Sequence, residues 1–173
     1  MVFQEDFIKD NCGRGSKDKK KNIIMNLKKV AKKMSVKNNH LILMYQTHSN
    51  KVIEIKKNNY KKKIRADAMV TKMRGIALGV VTADCVPILI YDRKNKIIGC
   101  IHAGWRGAIS GVIKNTILKI RKLNSDNTIY ATIGPCIGKE SYEVDLKFFK
   151  NFVKKSKKKL KKIKNKKYKK KFV

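Results

Sequence analysis

The chain is short of acid. Among 173 residues, 12 are Asp or Glu against 44 Lys or Arg, a formal net charge of +32 at pH 7. Such a charge gives general affinity for polyanions at low salt. The residues that turn affinity into nucleic-acid reading are scarce, however. Only six of the cations are Arg, the side chain suited to bidentate base contacts. The Lys runs also have few aromatics between them on which bases could stack. A specific nucleic-acid module is therefore disfavoured, and the abundance of Lys, Asn and Ile fits an AT-rich coding sequence. Long hydrophobic runs are lacking too. The longest, GIALGVVTADCVPILIY, is broken by Thr82, Asp84 and Pro87, which excludes a membrane span. The start, MVFQEDFIKD, has acidic residues and no apolar stretch of the kind a secretory signal needs, so a cytoplasmic protein is expected. The four cysteines, Cys12, Cys85, Cys100 and Cys136, show no zinc-ribbon or redox-pair spacing. A cytosolic setting disfavours disulfides, leaving each as a buried apolar residue, a ligand or a nucleophile. There are only three histidines, His40, His48 and His102, too few for a multicopper centre.

What is present suits one domain with a buried core. Apolar residues at Ile23, Ile24, Leu27, Val30, Ala31 and Met34 predict a helix over 18–34, with Asp18 as N-cap. Strands are predicted at LILMYQTH (41–48), KVIEI, ADAMVT (66–71), IALGVVTADC as far as Cys85, PILIYD (87–92) and IIGCIHAG, ending at His102. Gly104 to Gly107 reads as a tight turn, and Ile109 to Leu123 as an amphipathic helix. TIYATIG is another strand, and Ser141 opens a helix with Glu143 in its first turn. The alternation gives an α/β or α+β protein. Residues 1–152 form the domain. Residues 153–173, almost all Lys, repel one another on every helical face and predict a frayed or disordered tail.

Three polar residues end apolar strands: His48, Cys85 and His102. Strand ends are where a rigid sheet presents side chains to a cleft. Two imidazoles and a thiolate suit zinc, and three protein ligands leave a position for substrate. The separations, 37 and 17 residues, are too long to carry a metal motif by themselves. Taken singly, a Cys there is ordinarily a small core residue and a His a hydrogen-bonded one. A second feature is HAGWRGAISG, in which Arg106 and a helix N-terminus form a candidate anion site; packing of the corner by glycines and Trp105 is the alternative.

QTHSNKV, ADAMVT, TADCVPILIYD, HAGWRG and IGPCIGKESYEV occur in this order. The chain thereby resembles the multicopper polyphenol oxidase, or laccase-domain, family, whose members are now viewed as purine nucleoside phosphorylases with adenosine deaminase and methylthioadenosine phosphorylase activity. The resemblance implies two mixed β-sheets stacked between helices, with His48, Cys85 and His102 as metal ligands. It implies a zinc enzyme acting on a purine nucleoside and phosphate, with copper as the alternative metal. Phosphate would fall to Arg106. The protons of a deamination would fall to Asp84 or Glu143. Cys100 is then a buried neighbour of the ligands and Cys136 a structural residue. Rival readings are a copper polyphenol oxidase, a cell-wall-precursor editing factor, and an inactive fragment. Relatives of this kind begin earlier and continue with a further strand, helix and Arg-containing motif, so a chain truncated at both ends is expected.

Overall fold

A computed structural model describes residues 10–124 and 128–154. Contacts divide the chain into two units, Met1–Cys136 and Ile137–Val173. In the first, helix α1 (Lys20–Lys33) precedes strands β1 (Leu41–Tyr45), β2 (Val52–Glu54), β3 (Ile64–Arg65), β4 (Ala68–Thr71), β5 (Ala77–Gly79), β6 (Val86–Asp92) and β7 (Ile97–Ala103). Helices α2 (Trp105–Ser110) and α3 (Val112–Asn124) and strand β8 (Ile129–Ile133) follow. The result is the expected α/β fold with two sheets.

The larger sheet has the order β2-β4-β7-β6-β8, and the smaller β3-β1-β5. The smaller sheet is wholly parallel. In the larger, β2 and β4 run parallel and the other neighbours antiparallel. Side-chain alternation gives the central strand two apolar faces. From β7, Ile97, Ile101 and Ala103 join Val70, Ile88 and Ile90 in a core closed by Val112 and Ile120 of α3. On the opposite face, Cys100 and Met69 pack with Ile42, Met44 and Ile64 of the smaller sheet. His102 shares the Cys100 face by the same alternation. It therefore lies on the side toward the smaller sheet.

Several boundaries differ from the sequence reading. The N-cap of α1 is Lys19, and no side chain caps it. Asp18 sits one residue too early and instead accepts the Lys19 N–H at 2.6 Å and the Asn22 amide at 3.0 Å. The segment expected to run as a strand to Cys85 stops at Gly79. Residues 104–107 are not a turn, because α2 begins at Trp105. The amphipathic helix starts three residues later than expected, at Val112, since Gly111 at φ 96° separates it from α2. That left-handed conformation is costly for any residue with a side chain.

In the second unit, Ser141 ends a 3₁₀ turn, Lys139–Ser141, and opens no helix. A helix covers 146–154. Asp145 caps it, its carboxylate accepting the Phe148 N–H. Glu143 thus lies in the irregular stretch before the helix. Of the Lys-rich tail, residues 155–173 lie outside the described residues. Among the described residues no helix is long and apolar enough to cross a membrane.

Candidate metal centre

The site is organised by a residue that sequence reasoning passed over. Asp67, one position before β4, is fully buried. Its carboxylate accepts the backbone N–H of Thr47 at 3.2 Å, of His48 at 2.9 Å and of Ser49 at 2.7 Å. It also accepts the hydroxyls of Thr47 at 3.0 Å and Ser49 at 2.7 Å, and Nδ1 of His102 at 2.9 Å. Burial alone would raise its pKa. The hydrogen bonds from His102, Ser49 and Thr47 outweigh that and hold it at about 2. The signal in the sequence was a lone carboxylate inside the apolar run ADAMV, since a buried charge needs partners.

Two consequences follow. Residues 47–49 wrap their amides around one carboxylate, which holds His48 in the left-handed region at φ 55°. With Asp67 ionised, the proton of a neutral His102 sits on Nδ1, and Nε2 keeps its lone pair for a ligand.

The three expected residues come together. His102 is buried near the end of β7, Cys85 is half-buried just before β6, and His48 is exposed three residues past β1. Register brings the start of β6 to the end of β7, with Pro87 opposite His102. One ligand atom from each of His48, Cys85 and His102 lies within 4.8 Å of the others. The Cys85 Sγ to His48 Nε2 distance is 3.9 Å. A tetrahedral zinc with ordinary bond lengths would hold such a pair about 3.6 Å apart. The donor set and its spacing therefore fit one metal with a small contraction. Among the described residues this is the one group of His, Cys, Asp or Glu that could hold an ion.

The surroundings keep that space open. A Cβ on Gly104 would come 2.9 Å from His48 Cδ2 and 3.0 Å from Cys85 Sγ. The Gln46 amide donates to the Val81 carbonyl at 2.7 Å and accepts the Val81 N–H at 2.9 Å. This splices the end of β1 to the segment leading to Cys85. The Thr82 hydroxyl donates to the Cys85 carbonyl. Burial, then the carboxylates of Asp84 and Asp67, push the Cys85 thiol up. A metal must therefore displace a firmly held proton to use this sulfur.

The other candidates are more dispersed. Asp84 is exposed beside Cys85. Arg106 is exposed in the first turn of α2, its guanidinium 5.2 Å from the centre of the Trp105 ring. Glu143 belongs to the second unit and is exposed. Cys100 is in the core between the sheets, where burial pushes its thiol up to about 12. Cys136 is exposed. His40 is turned to another partner, the Gly75 carbonyl, at 2.9 Å.

Comparison with known proteins shows the family and the fold. The profile of the multi-copper polyphenol oxidoreductase laccase family matches residues 2–173. A purine nucleoside phosphorylase of Rickettsia conorii is 36% identical over 141 residues, 79% of this chain and 58% of that protein. One of Bacteroides thetaiotaomicron is 41% identical over 90 residues, 51% of this chain and 33% of that protein. Among solved structures, the hypothetical protein YfiH of Bacillus licheniformis superposes with a TM-score of 0.75 at 29% identity, covering 84% of this chain and 57% of its own. YlmD of Geobacillus stearothermophilus, with a TM-score of 0.73 at 24% identity, shares the fold, over 84% of this chain and 56% of its own. The chain thus spans about half the length of the relatives it matches.

Proposed function

We propose, since the chain belongs to the multi-copper polyphenol oxidoreductase laccase family, that it is a zinc-dependent purine nucleoside phosphorylase centred on His48, Cys85 and His102. The observation that carries this reading is the cluster of two imidazoles and a thiolate within 4.8 Å, backed by a buried carboxylate. Relatives named purine nucleoside phosphorylase supply the reaction class. A metal held there would supply a Lewis acid at the edge of the sheet.

The chain's own residues divide the remaining work. In phosphorolysis a phosphate oxygen bonds to the anomeric carbon as the C–N bond breaks. The purine leaves with that electron pair, takes a proton, and ribose 1-phosphate remains. Arg106 is the cation proposed to hold phosphate, its planar fork suited to two phosphate oxygens. Asp67 keeps His102 in one tautomer and orientation throughout. For a deaminase activity, water adds at purine C6 and ammonia leaves. Asp84, exposed beside Cys85, is the carboxylate proposed to carry the proton.

The copper polyphenol oxidase reading is weaker on this chain. A multicopper centre needs many imidazoles, and one of the three histidines, His40, is bonded to Gly75 instead. The test is metal analysis of the purified chain together with release of hypoxanthine from inosine, with and without phosphate. Zinc and phosphate-dependent release are expected, and both should be lost in Cys85→Ala. Arg106→Ala should keep the zinc and need more phosphate, losing about 1.5–3 kcal/mol of transition-state binding as a charged hydrogen bond would. Zinc without any hypoxanthine, or copper with phenol oxidation, would overturn the reading.

A further inference from the structure

A cleft of about 830 Å³ opens at the carboxyl ends of β1 and β5, where Tyr45, Gln46 and Val81 line it. The ends of parallel strands are a recurrent place for ligands. The loop carrying Arg14 forms one wall, and Lys61, Lys62 and Lys63 the other. No carboxylate lines it, and among the described residues none of these four cations is paired with an acid. Four cationic residues thus border one concavity, with the Lys61 ammonium 5.6 Å from the Tyr60 ring centre, and an anion there would offset their mutual repulsion.

The walls are braced in advance. The Asn11 side chain accepts the Gly13 N–H at 2.8 Å and donates to the Ser16 hydroxyl at 2.8 Å. Asn26, buried in α1, donates to the Asn11 carbonyl at 2.9 Å. Arg14 is thus presented on a loop whose ordering is already complete, which lowers the entropy lost on binding. The cleft also has an apolar side. Leu43, Val81 and the exposed Tyr45 border it. Lys63 and Arg65 lie 5.1 and 4.8 Å from the Tyr45 ring centre, so positive charge and ring are held together.

Cations on two walls and an apolar, aromatic shelf between them call for a ligand with a phosphate at one end and a flat ring at the other. The volume lies in the range of small-molecule pockets, roughly 300–1,000 Å³. A groove for a nucleic-acid strand would instead track its backbone over several nucleotides. We infer that this cleft binds a phosphate-bearing mononucleotide, with the phosphate between Arg14 and Lys61, Lys62 and Lys63 and the base against Leu43, Tyr45 and Val81. The site does not depend on the metal cluster or on the activity proposed for it.

The test is calorimetric titration of the full chain with adenosine 5′-monophosphate, adenosine and inorganic phosphate at physiological salt. Measured by protection of Cys12, which lines the cleft, the monophosphate should bind at least about tenfold tighter than either fragment, the effect of one or two charge-assisted hydrogen bonds added to ring contacts. Replacing Lys61, Lys62 and Lys63 together by Ser should weaken it about tenfold. Replacing Lys21, Lys28 and Lys32, exposed on α1, together by Ser removes the same charge and should change it less than about twofold. Bound nucleotide should slow alkylation of Cys12 in the cleft and leave that of exposed Cys136 unchanged. Cys85→Ala should bind the nucleotide as the parent does. Equal losses in the two lysine sets would overturn the inference by making the effect one of bulk charge. So would adenosine or inorganic phosphate slowing alkylation of Cys12 as well as the nucleotide does, a single-stranded RNA displacing the nucleotide, or loss of binding in Cys85→Ala.

Discussion

The floor of the metal centre and its rim are built on opposite plans. The floor is His102 on β7 with Asp67 beneath it, both buried, with six donors directed at one carboxylate. The rim is His48, exposed and in a left-handed conformation, and Cys85, half-buried ahead of β6. Among the described residues the rim has no hydrogen-bond support for its ligand atoms comparable to the Asp67 contact. Its position comes from backbone that the floor organises. The difference assigns stability to the floor and ligand exchange to the rim, and each assignment can be broken separately.

The largest effect is expected at Asp67. Asp67→Ala strands the N–H groups of Thr47, His48 and Ser49 and the Nδ1 of His102 in a buried space. Leaving these donors unpaired costs about 1–3 kcal/mol for each that stays out of water, and loss of an outer-shell carboxylate typically weakens metal binding about 10–100-fold. Denaturant unfolding and a metal titration measure the two. A stability loss under about 1 kcal/mol would show that the floor does not carry the fold.

A smaller effect separates charge from shape. The carboxyl of Asp67 is held at about 2, below the ordinary 3.8. The sign is that of a depressed carboxylate, with stability full above the ordinary value and lost as pH falls toward the folded one. About 2 kcal/mol should disappear across that interval. Asp67→Asn, which has no carboxylate to titrate, should flatten this part of the pH–stability curve of the metal-free protein. An unchanged slope would assign the acid sensitivity elsewhere.

The smallest stability effect should come from the rim. Gly104→Ala puts a methyl 2.9 Å from His48 and 3.0 Å from Cys85. Exposed His48 can move aside, so unfolding should shift by only about 1 kcal/mol, at the low end for overpacking. Metal affinity should fall all the same, because the two rim ligands are pushed from their common point. A variant that lost stability but kept its metal would erase the distinction between floor and rim.

Much of this was legible in the residues. Apolar runs ending in His48, Cys85 and His102 marked positions that the fold brings within 4.8 Å, and alternation along 97–103 placed Cys100 and His102 on one face. Asp67 was legible only as an unexplained carboxylate inside the apolar run ADAMV; its six donors are 18 to 35 residues away, so the sequence did not name its partners. The glycines of HAGWRG misled for a related reason. They were taken as turn formers, whereas Gly104 leaves room for the ligands and Gly107 lets the Ser49 carbonyl approach within 2.9 Å of where a Cβ would stand. Close approach across long sequence separation leaves no periodic trace.

The donor pattern around Asp67 also carries an order in time. Its bonds to Thr47, His48 and Ser49 close loops of 18 to 20 residues, while the bond to His102 closes one of 35. The chain-closure entropy of the longer loop is greater by about 0.5 kcal/mol. During synthesis the residues of the shorter loop are also complete before His102 has emerged. The turn at His48 can therefore be in place while the imidazole that completes the floor is still absent, and the pairing of β6 with β7 that brings Cys85 alongside comes with it. Metal capture then reports the arrival of β7, and a chain arrested before residue 102 would hold His48 and Cys85 without the third ligand.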